Sequence, residues 1–385
     1  MSKVLVNIKN IIARVIINMF SCFPIKNNKI FLFSYYGSQY GCNPKYISEY
    51  IVKNYPNDKF DIVWAFNDIS SKEHIQGVRK VKIMTLKYFY ELCTSKVIIT
   101  NFRTVDMFKK RKNQYYIQTW HSSLRLKQIE KDAENSLPEN YIKMAKEDSK
   151  KCDLLLSGCK YSTDIFKRAF WYNGEIFEHG TPRNDLLAKV DEQYKAAIKK
   201  KLNISNDTKL VLYAPTFRKN DDLEVYNLDY KEVLNSLKLK FGGDWRFCVK
   251  LHPHLISKSE QLNYGADVLD LTKYDDIQEL LAISDVLISD YSSLMFDFGL
   301  TKRPCLLYVP DLDEYTNQDR KLYFDIEQLP FINAKDSDDL VRKISYFDEE
   351  EYTKELEIFL DSIGSFENGN SCEKLVERIS EVCFN

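Results

Sequence analysis

A surplus of either charge is missing from this chain: 55 lysines and arginines face 56 aspartates and glutamates over 385 residues, a formal net charge of −1. Duplex nucleic-acid binders carry a basic excess, so no nucleic-acid partner is expected. Paired C-x-x-C cysteines are missing too. The nine cysteines, at positions 22, 42, 93, 152, 159, 248, 305, 372 and 383, are odd in number and scattered. They fit neither a disulfide framework nor a zinc site and point to reduced thiols in a cytosolic compartment. No stretch is apolar for long enough to cross a bilayer, and no compact apolar run before a small-residue cleavage site marks a signal peptide. Solenoid repeats and low-complexity segments are absent as well. Histidine is scarce, five in all, which makes the position of each one informative.

What is present suits two domains, since the chain is too long for one core, and 44% apolar with 14% aromatic residues make it globular. It opens with MSKVLVNIKNIIARVIINMF. Val4/Leu5, Ile8, Ile11/Ile12, Val15/Ile16 and Met19/Phe20 recur at helical spacing, with Lys3, Asn7, Asn10, Arg14 and Asn18 on the other side. Residues 1–24 are therefore expected to form a basic amphipathic helix, lying in a membrane interface or packing on its own domain.

Short β-rich runs then alternate with helical patterns. KIFLFSYYG (29–37), FDIVWAF (60–66), RKVKIM (79–84), SKVIITN (95–101) and CDLLLSG (152–158) read as strands, with helices from Asn43 to about Lys53 and from Tyr161 to Phe170. KLVLYAPTF (209–217), WRFCVKLHP (245–253), ADVLDL (266–271), SDVLISD (284–290) and RPCLLYVP (303–310) repeat the pattern. Such alternation predicts parallel sheets with helices on both faces. The expected fold is α/β, with two Rossmann-like domains, 25–200 and 201–385, facing a central cleft. The division falls in the charged helical stretch between Gly180 and Lys209.

In open α/β sheets ligands bind outside the carboxyl ends of the strands, so the residues that end strands matter most. His121 does so in QTWHSSLRLK (118–127). A histidine titrates near neutrality and can take a proton from a hydroxyl or give one to a phosphate oxygen. The alternative is a half-buried histidine that merely caps its strand. In VKLHPH (249–254) a strand delivers His252, Pro253 fixes the chain direction, and the imidazole suits a nucleotide's phosphate. His254 is its supporting partner or a plain loop residue. ISDYSSLMFDFGLTKRP (288–304) ends a strand at Asp290 and opens a helix at Ser292 and Ser293, where free N–H groups and hydroxyls suit an anion. The same residues also read as an ordinary N-cap. YAPTFRK (213–219) ends its strand with Pro215, Thr216 and Arg218. No carboxylate or cysteine lies at ligand spacing from the histidines, so no metal site is expected, and DSDD (336–339) reads as a helix start.

Taken together and in order, these motifs resemble the CDP-glycerol glycerophosphotransferase family, the teichoic-acid polymerase and primase group. FSYYGSQYGCNPKYISEYI (33–51) is similar to the family's G-x-x-Y-x-x-N-P-K segment. QTWHSS, EHGTPRNDLL (178–187), LYAPTFR, KLHP, SDVLISDYSSLMFDF and DEYTNQDRKLYFD (313–325) then follow, so the resemblance covers about residues 30–330. It implies a GT-B-like, two-lobed transferase that moves glycerol phosphate from CDP-glycerol to an acceptor hydroxyl and releases CMP. The acceptor would be a teichoic acid, a capsular polysaccharide or a lipid-linked precursor. The enzyme would be peripheral at the cytoplasmic face of the cell membrane, and no cofactor is implied.

By matching motif positions, the resemblance makes His121 the general base and lets His252 contact the donor pyrophosphate. Ser292 and Ser293 would hold phosphate, Arg320 would clamp it, and Thr216, Arg218 and Asp290 would line the donor pocket. Ser122, Ser123, Gly180, Arg183 and His254 would support them. One departure stands out. The family's first histidine commonly precedes Gly-Thr-Pro-Leu-Lys, whereas here Ser122-Ser123-Leu124-Arg125-Leu126-Lys127 follows, which is expected to reshape the acceptor-side loop. Three other readings compete: a CDP-ribitol-dependent transferase, a GT-B glycosyltransferase using a nucleotide-sugar, and a non-catalytic scaffold at the membrane surface.

Overall fold

Apolar runs in both halves of the chain become strands buried on both faces, the pattern of parallel sheets covered by helices. The structure, a computed structural model, describes residues 3–104, 108–218, 224–226, 228–252, 255, 268–318 and 321–385. The first sheet comprises β1 (Lys26–Phe33), β2 (Asp61–Phe66), β3 (Arg79–Lys82), β4 (Ser95–Thr100), β5 (Tyr115–Gln118), β6 (Leu154–Leu156) and β7 (Glu175–Phe177). Its order is β3-β2-β1-β4-β5-β6-β7, parallel throughout. The second comprises β8 (Lys209–Tyr213), β9 (Trp245–Val249), β10 (Val268–Asp270), β11 (Val286–Ser289), β12 (Cys305–Tyr308) and β13 (Ile332–Ala334). Its order is β10-β9-β8-β11-β12-β13, also parallel. Each sheet is doubly wound and Rossmann-like, and its strand order reverses beside its first strand, between β1 and β4 and between β8 and β11.

Alternation along the strands sorts the core. Ile30, Leu32, Trp64, Phe66, Val97 and Ile99 meet Ile47, Ile51, Leu375 and Ile379 on one face of the first sheet. Phe31, Phe33, Val63, Ala65 and Ile98 meet Ala13, Ile17, Phe89 and Leu92 on the other. In the second sheet Val211, Tyr213, Phe247, Val249 and Ile288 pack on Val233, Leu237, Leu340 and Ile344. The strands stop short of the apolar runs that predict them. KIFLFSYYG, for instance, leaves the sheet at Phe33, because Tyr35, Tyr36 and Gly37 turn into the left-handed region with φ of 45°, 55° and 81°.

The N-terminal helix spans Lys3–Phe20 rather than reaching residue 24. From Ile11 onward it has two apolar stripes. Ala13 and Ile17 are buried, with Ile16 and Phe20 packed beside them, and Phe20 meets Tyr90 edge-on. Ile11, Ile12, Val15 and Met19 stay 51–63% exposed. Among the described residues no helix is long and apolar enough to cross a membrane.

The compact units do not follow a cut at residue 200. One unit contains Met1–His121, Ile129–Asp185 and Phe366–Asn385; the other contains Ser122–Gln128 and Leu186–Ser365. The physical reasons are local. The helix Ser371–Phe384 carries Leu375, Val376, Ile379 and Cys383 on one stripe, and that stripe fills a face of the first sheet. The helix Glu192–Lys201 belongs to the second unit, where the Tyr194 hydroxyl donates to Glu279 at 3.4 Å.

Candidate active site

In the first unit the informative residues gather at the carboxyl ends of β1, β4 and β5. Asn101 follows β4, and its Oδ1 accepts the Tyr35 backbone N–H at 3.0 Å, bridging the point where the strand order reverses. His121 follows β5. Its ring is exposed and lies over Trp120, with centroids 4.6 Å apart and planes at 28°. The Nδ1 atom is 3.2 Å from the carbonyl oxygen of Asn101. A carbonyl only accepts, so a neutral imidazole holds its proton on Nδ1 there and carries none on Nε2, the form in which that nitrogen can act as a base.

The chain reaches His121 through a strained residue. Trp120 has a φ of 50°, a left-handed conformation that costs a bulky residue about 1–2 kcal/mol. Three contacts hold it. The Gln118 Oε1 accepts the Trp120 N–H at 3.0 Å, Asn43 donates to the carbonyls of Thr119 and Trp120, and the indole packs edge-on against Phe170 at 5.0 Å. Behind Phe170 lies a buried ion cluster. Arg103, 1% exposed, reaches Glu130, Asp148 and Ser149 and stacks 3.6 Å over the Phe170 ring. Non-glycine residues with positive φ concentrate here: Tyr35, Tyr36, Cys42, Trp120, Glu130 and Trp171. Stored backbone strain of this kind clusters at working sites.

In the second unit the corresponding strand ends are those of β9, β8 and β11, neighbours in that order. Asp290, just past β11, accepts from the Thr216 N–H at 2.9 Å and the Thr216 hydroxyl at 2.6 Å, again across the reversal point. Arg218 donates to Asp290 at 2.9 Å and to Asp311 at 2.7 Å, and its guanidinium lies 4.9 Å from the rings of both Tyr291 and Tyr315. Those two rings stack at 3.8 Å, and the Tyr291 hydroxyl donates to Asp311 at 3.0 Å. Ser292 and Ser293 are half-buried at the start of the short helix Leu294–Gly299. The Ser292 Oγ accepts the Leu294 N–H at 3.3 Å, and the Ser293 Oγ accepts the Leu126 N–H at 3.4 Å. His252 is exposed beyond β9, its ring 5.8 Å from Phe217. Two residues before it Lys250 is buried, donating to the carbonyls of Thr272 and Tyr274, and burial pulls its ammonium down to about 8.

The profile of the family described as CDP-glycerol:poly(glycerophosphate) glycerophosphotransferase matches residues 15–381. The chain belongs to that family. It is 31% identical to a teichoic acid poly(glycerol phosphate) polymerase of Bacillus spizizenii, over 98% of this chain and 99% of that protein. It is 32% identical to a teichoic acid glycerol-phosphate transferase of Staphylococcus aureus, over 97% of this chain and 99% of that protein. Against a poly(glycerol phosphate) polymerase of Bacillus subtilis, also 32% identical, it spans only 50% of the relative's length. A solved structure of the wall teichoic acid polymerase TagF soaked with CDPG matches at a TM-score of 0.85 and 31% identity, covering 99% of this chain and 97% of that one.

Among the residues expected at the site of this glycerophosphotransferase, Thr216, Arg218 and Asp290 meet in one hydrogen-bonded cluster, with Ser292 and Ser293 following directly in the chain. Arg218 is engaged by two carboxylates and 6% exposed. His254 and Arg320 lie outside the described residues. Gly180 and Arg183 serve the first unit. Gly180 has a φ of 86° and a Cβ there would come within 2.9 Å of Glu367, while the Arg183 N–H donates to Asn43 Oδ1 at 3.0 Å. The segment with Ser122 and Ser123, expected to shape the acceptor side, groups instead with the second unit. It is held there by a Lys127–Leu322 bridge, by Gln128 and Tyr323 backbone bonds, and by the Leu126 N–H on Ser293. Asn43, Asn101, Lys127 and Lys250 were not singled out from the sequence. All four stood inside the motifs and strand runs read there, but an amide or a lysine shows a purpose only through its partners. Among the described residues no group of three or more histidines, cysteines or carboxylates is placed to hold a metal ion.

Proposed function

We propose that this glycerophosphotransferase moves glycerol phosphate from CDP-glycerol to a hydroxyl of a teichoic acid, a capsular polysaccharide or a lipid-linked precursor, with His121 as general base. The observation that carries the assignment of the base is the 3.2 Å contact of its Nδ1 with a carbonyl, which leaves Nε2 unprotonated on an exposed ring. The acceptor oxygen forms a bond to the phosphorus that bears glycerol, the bond from that phosphorus to CMP breaks, and the acceptor's proton goes to Nε2. Phosphoryl transfer asks for positioning and charge neutralisation more than for covalent help. His252, Ser292 and Ser293 would neutralise charge on the donor's diphosphate as it divides and CMP departs, with Arg320 and His254 as further donors. Thr216, Arg218 and Asp290 would hold the strand-end loops that carry them.

The test is CMP release from CDP-glycerol with a lipid-linked acceptor, run beside CDP-ribitol and UDP-sugars. His121→Ala is expected to stay folded, keep its affinity for CDP-glycerol and lose about 10²–10⁴-fold in rate. A folded His121→Ala enzyme with the wild-type rate removes the base, and turnover of a UDP-sugar in place of CDP-glycerol removes the donor. Binding of CDP-glycerol with no CMP release at all would instead favour the scaffold.

The family reading extends to location. The exposed stripe Ile11, Ile12, Val15 and Met19 would enter the interfacial layer of the cytoplasmic leaflet, with exposed Arg14 near lipid headgroups. Arg111 donates to the carbonyl of Phe23 at 2.8 Å, which brings the run Lys109–Lys112 beside the end of that helix. Lys109 and Lys112 are exposed there and suit anionic lipid.

A further inference from the structure

We propose that Asn43 is the positioning residue of the base: its carboxamide holds the Thr119–Trp120 turn that presents the His121 imidazole. This rests on the reading of His121 as the base. Asn43 is the second residue of the helix Cys42–Asn54 and is fully buried. Its Nδ2 donates to the carbonyls of Thr119 and Trp120, each at 3.2 Å, and its Oδ1 accepts the Arg183 N–H at 3.0 Å. The orientation of the amide is forced. A backbone N–H can only donate and two carbonyls can only accept, so a flipped side chain would lose all three bonds.

The geometry says what those bonds do. In an extended strand successive residues face opposite sides, and successive carbonyls do the same, so one NH2 group would not reach both. Here it reaches both because Trp120 is left-handed, with a φ of 50°. Asn43 therefore ties the end of β5 in the conformation that strain opposes. One residue later comes His121, whose Nδ1 must sit against the Asn101 carbonyl to keep its tautomer. Relaxation of Trp120 toward an extended conformation would swing the imidazole away from that carbonyl. The same amide joins three distant pieces of sequence: the N-P-K segment, the strand end T-W-H, and the turn in G-T-P-R-N-D.

The test is a double-mutant cycle with Asn43→Ala and His121→Ala, reading kcat, KM for CDP-glycerol and the ¹⁵N shifts of the His121 ring. Asn43→Ala is expected to lower kcat by about 10²-fold, the scale of a 1 Å misplacement of a reacting group. KM for CDP-glycerol should stay put, and the His121 shifts should move from the Nδ1-protonated tautomer toward a mixture. In the His121→Ala background the same substitution is expected to cost nothing further, because there is no base left to aim. Asn43→Asp, which still accepts from the Arg183 N–H but cannot donate, carries the same test if the alanine variant does not fold. Losses that multiply in the double variant, or a wild-type kcat and ring spectrum in Asn43→Ala, overturn the positioning role while leaving the base intact. A wild-type rate in His121→Ala alone overturns both.

Discussion

Glu91 is almost fully buried and still ionised. Burial pushes its carboxyl up, but hydrogen bonds and charge from Arg79 and Lys29 outweigh it and hold it at about 2. Its pKa is thus lower folded than unfolded, so its contribution to stability is complete above the usual carboxylate range and is lost as pH falls toward 2. By linkage that contribution is about 3 kcal/mol. Glu91→Gln leaves the Lys29 ammonium buried without its counter-charge, and a loss of about 3–5 kcal/mol at neutral pH is expected from denaturant melts. The variant should then lose less than wild type on going from pH 5 to pH 2; an unchanged acid limb would remove Glu91 as its source. Arg218 makes the same point in the second unit. Its replacement by Ala strands the buried Asp290, and a loss of about 3–5 kcal/mol is expected. Unaltered melting with weakened CDP-glycerol binding would instead make Arg218 a donor ligand. The sequence showed that an arginine follows the strand β8; it could not show that two carboxylates, from positions 290 and 311, meet it. His121 was more legible, because a histidine at a strand end breaks the apolar pattern by itself.

At the scale of elements, alternating strand and helix patterns were readable because parallel strands buried on both faces form unbroken apolar runs. Two of the three-residue strands were not readable: β7 and β13, unlike β6 and β10, do not sit in an apolar run that stands out from its surroundings. The N-terminal helix shows a second limit. Helical spacing of apolar residues does not tell one stripe from two, and this helix uses Ala13 and Ile17 for its own sheet while Ile12 and Val15 remain outside. The two stripes can be separated by experiment. Ile12→Ser with Val15→Ser is expected to leave thermal unfolding unchanged and to weaken sedimentation with anionic vesicles by about 10²-fold, given roughly 1.5–3 kcal/mol per fully buried aliphatic side chain. Ile17→Ala should do the reverse, lowering stability by about 2–5 kcal/mol. If the serine pair sediments like wild type, the exposed stripe does not touch the bilayer.

At the scale of the whole molecule, chain order and spatial membership part company. The two repeats of strand and helix were visible in sequence, but the last twenty residues return to the first unit and Ser122–Gln128 joins the second. Neither crossing leaves a mark on composition, since an amphipathic helix has the same pattern whichever sheet it covers. The return of the C-terminal helix has a measurable consequence. Ending the chain at Ser365 removes Leu375, Val376, Ile379 and Cys383 from one face of the first sheet. Three of these are aliphatic, and losing each costs about 1.5–3 kcal/mol of transfer free energy, an upper estimate because unfolded chains already bury some surface. The sum, roughly 5–9 kcal/mol, is comparable with the 5–15 kcal/mol that holds an entire domain together. The shortened chain is therefore expected to lose the cooperative unfolding of its first unit and expose that apolar face to dye. β8–β13, whose residues all remain, should keep a transition of their own. A shortened chain that melts in the same two steps as the full one would mean that the stripe Leu375–Cys383 contributes little to the first sheet, and the division of the chain into these units would have to be redrawn.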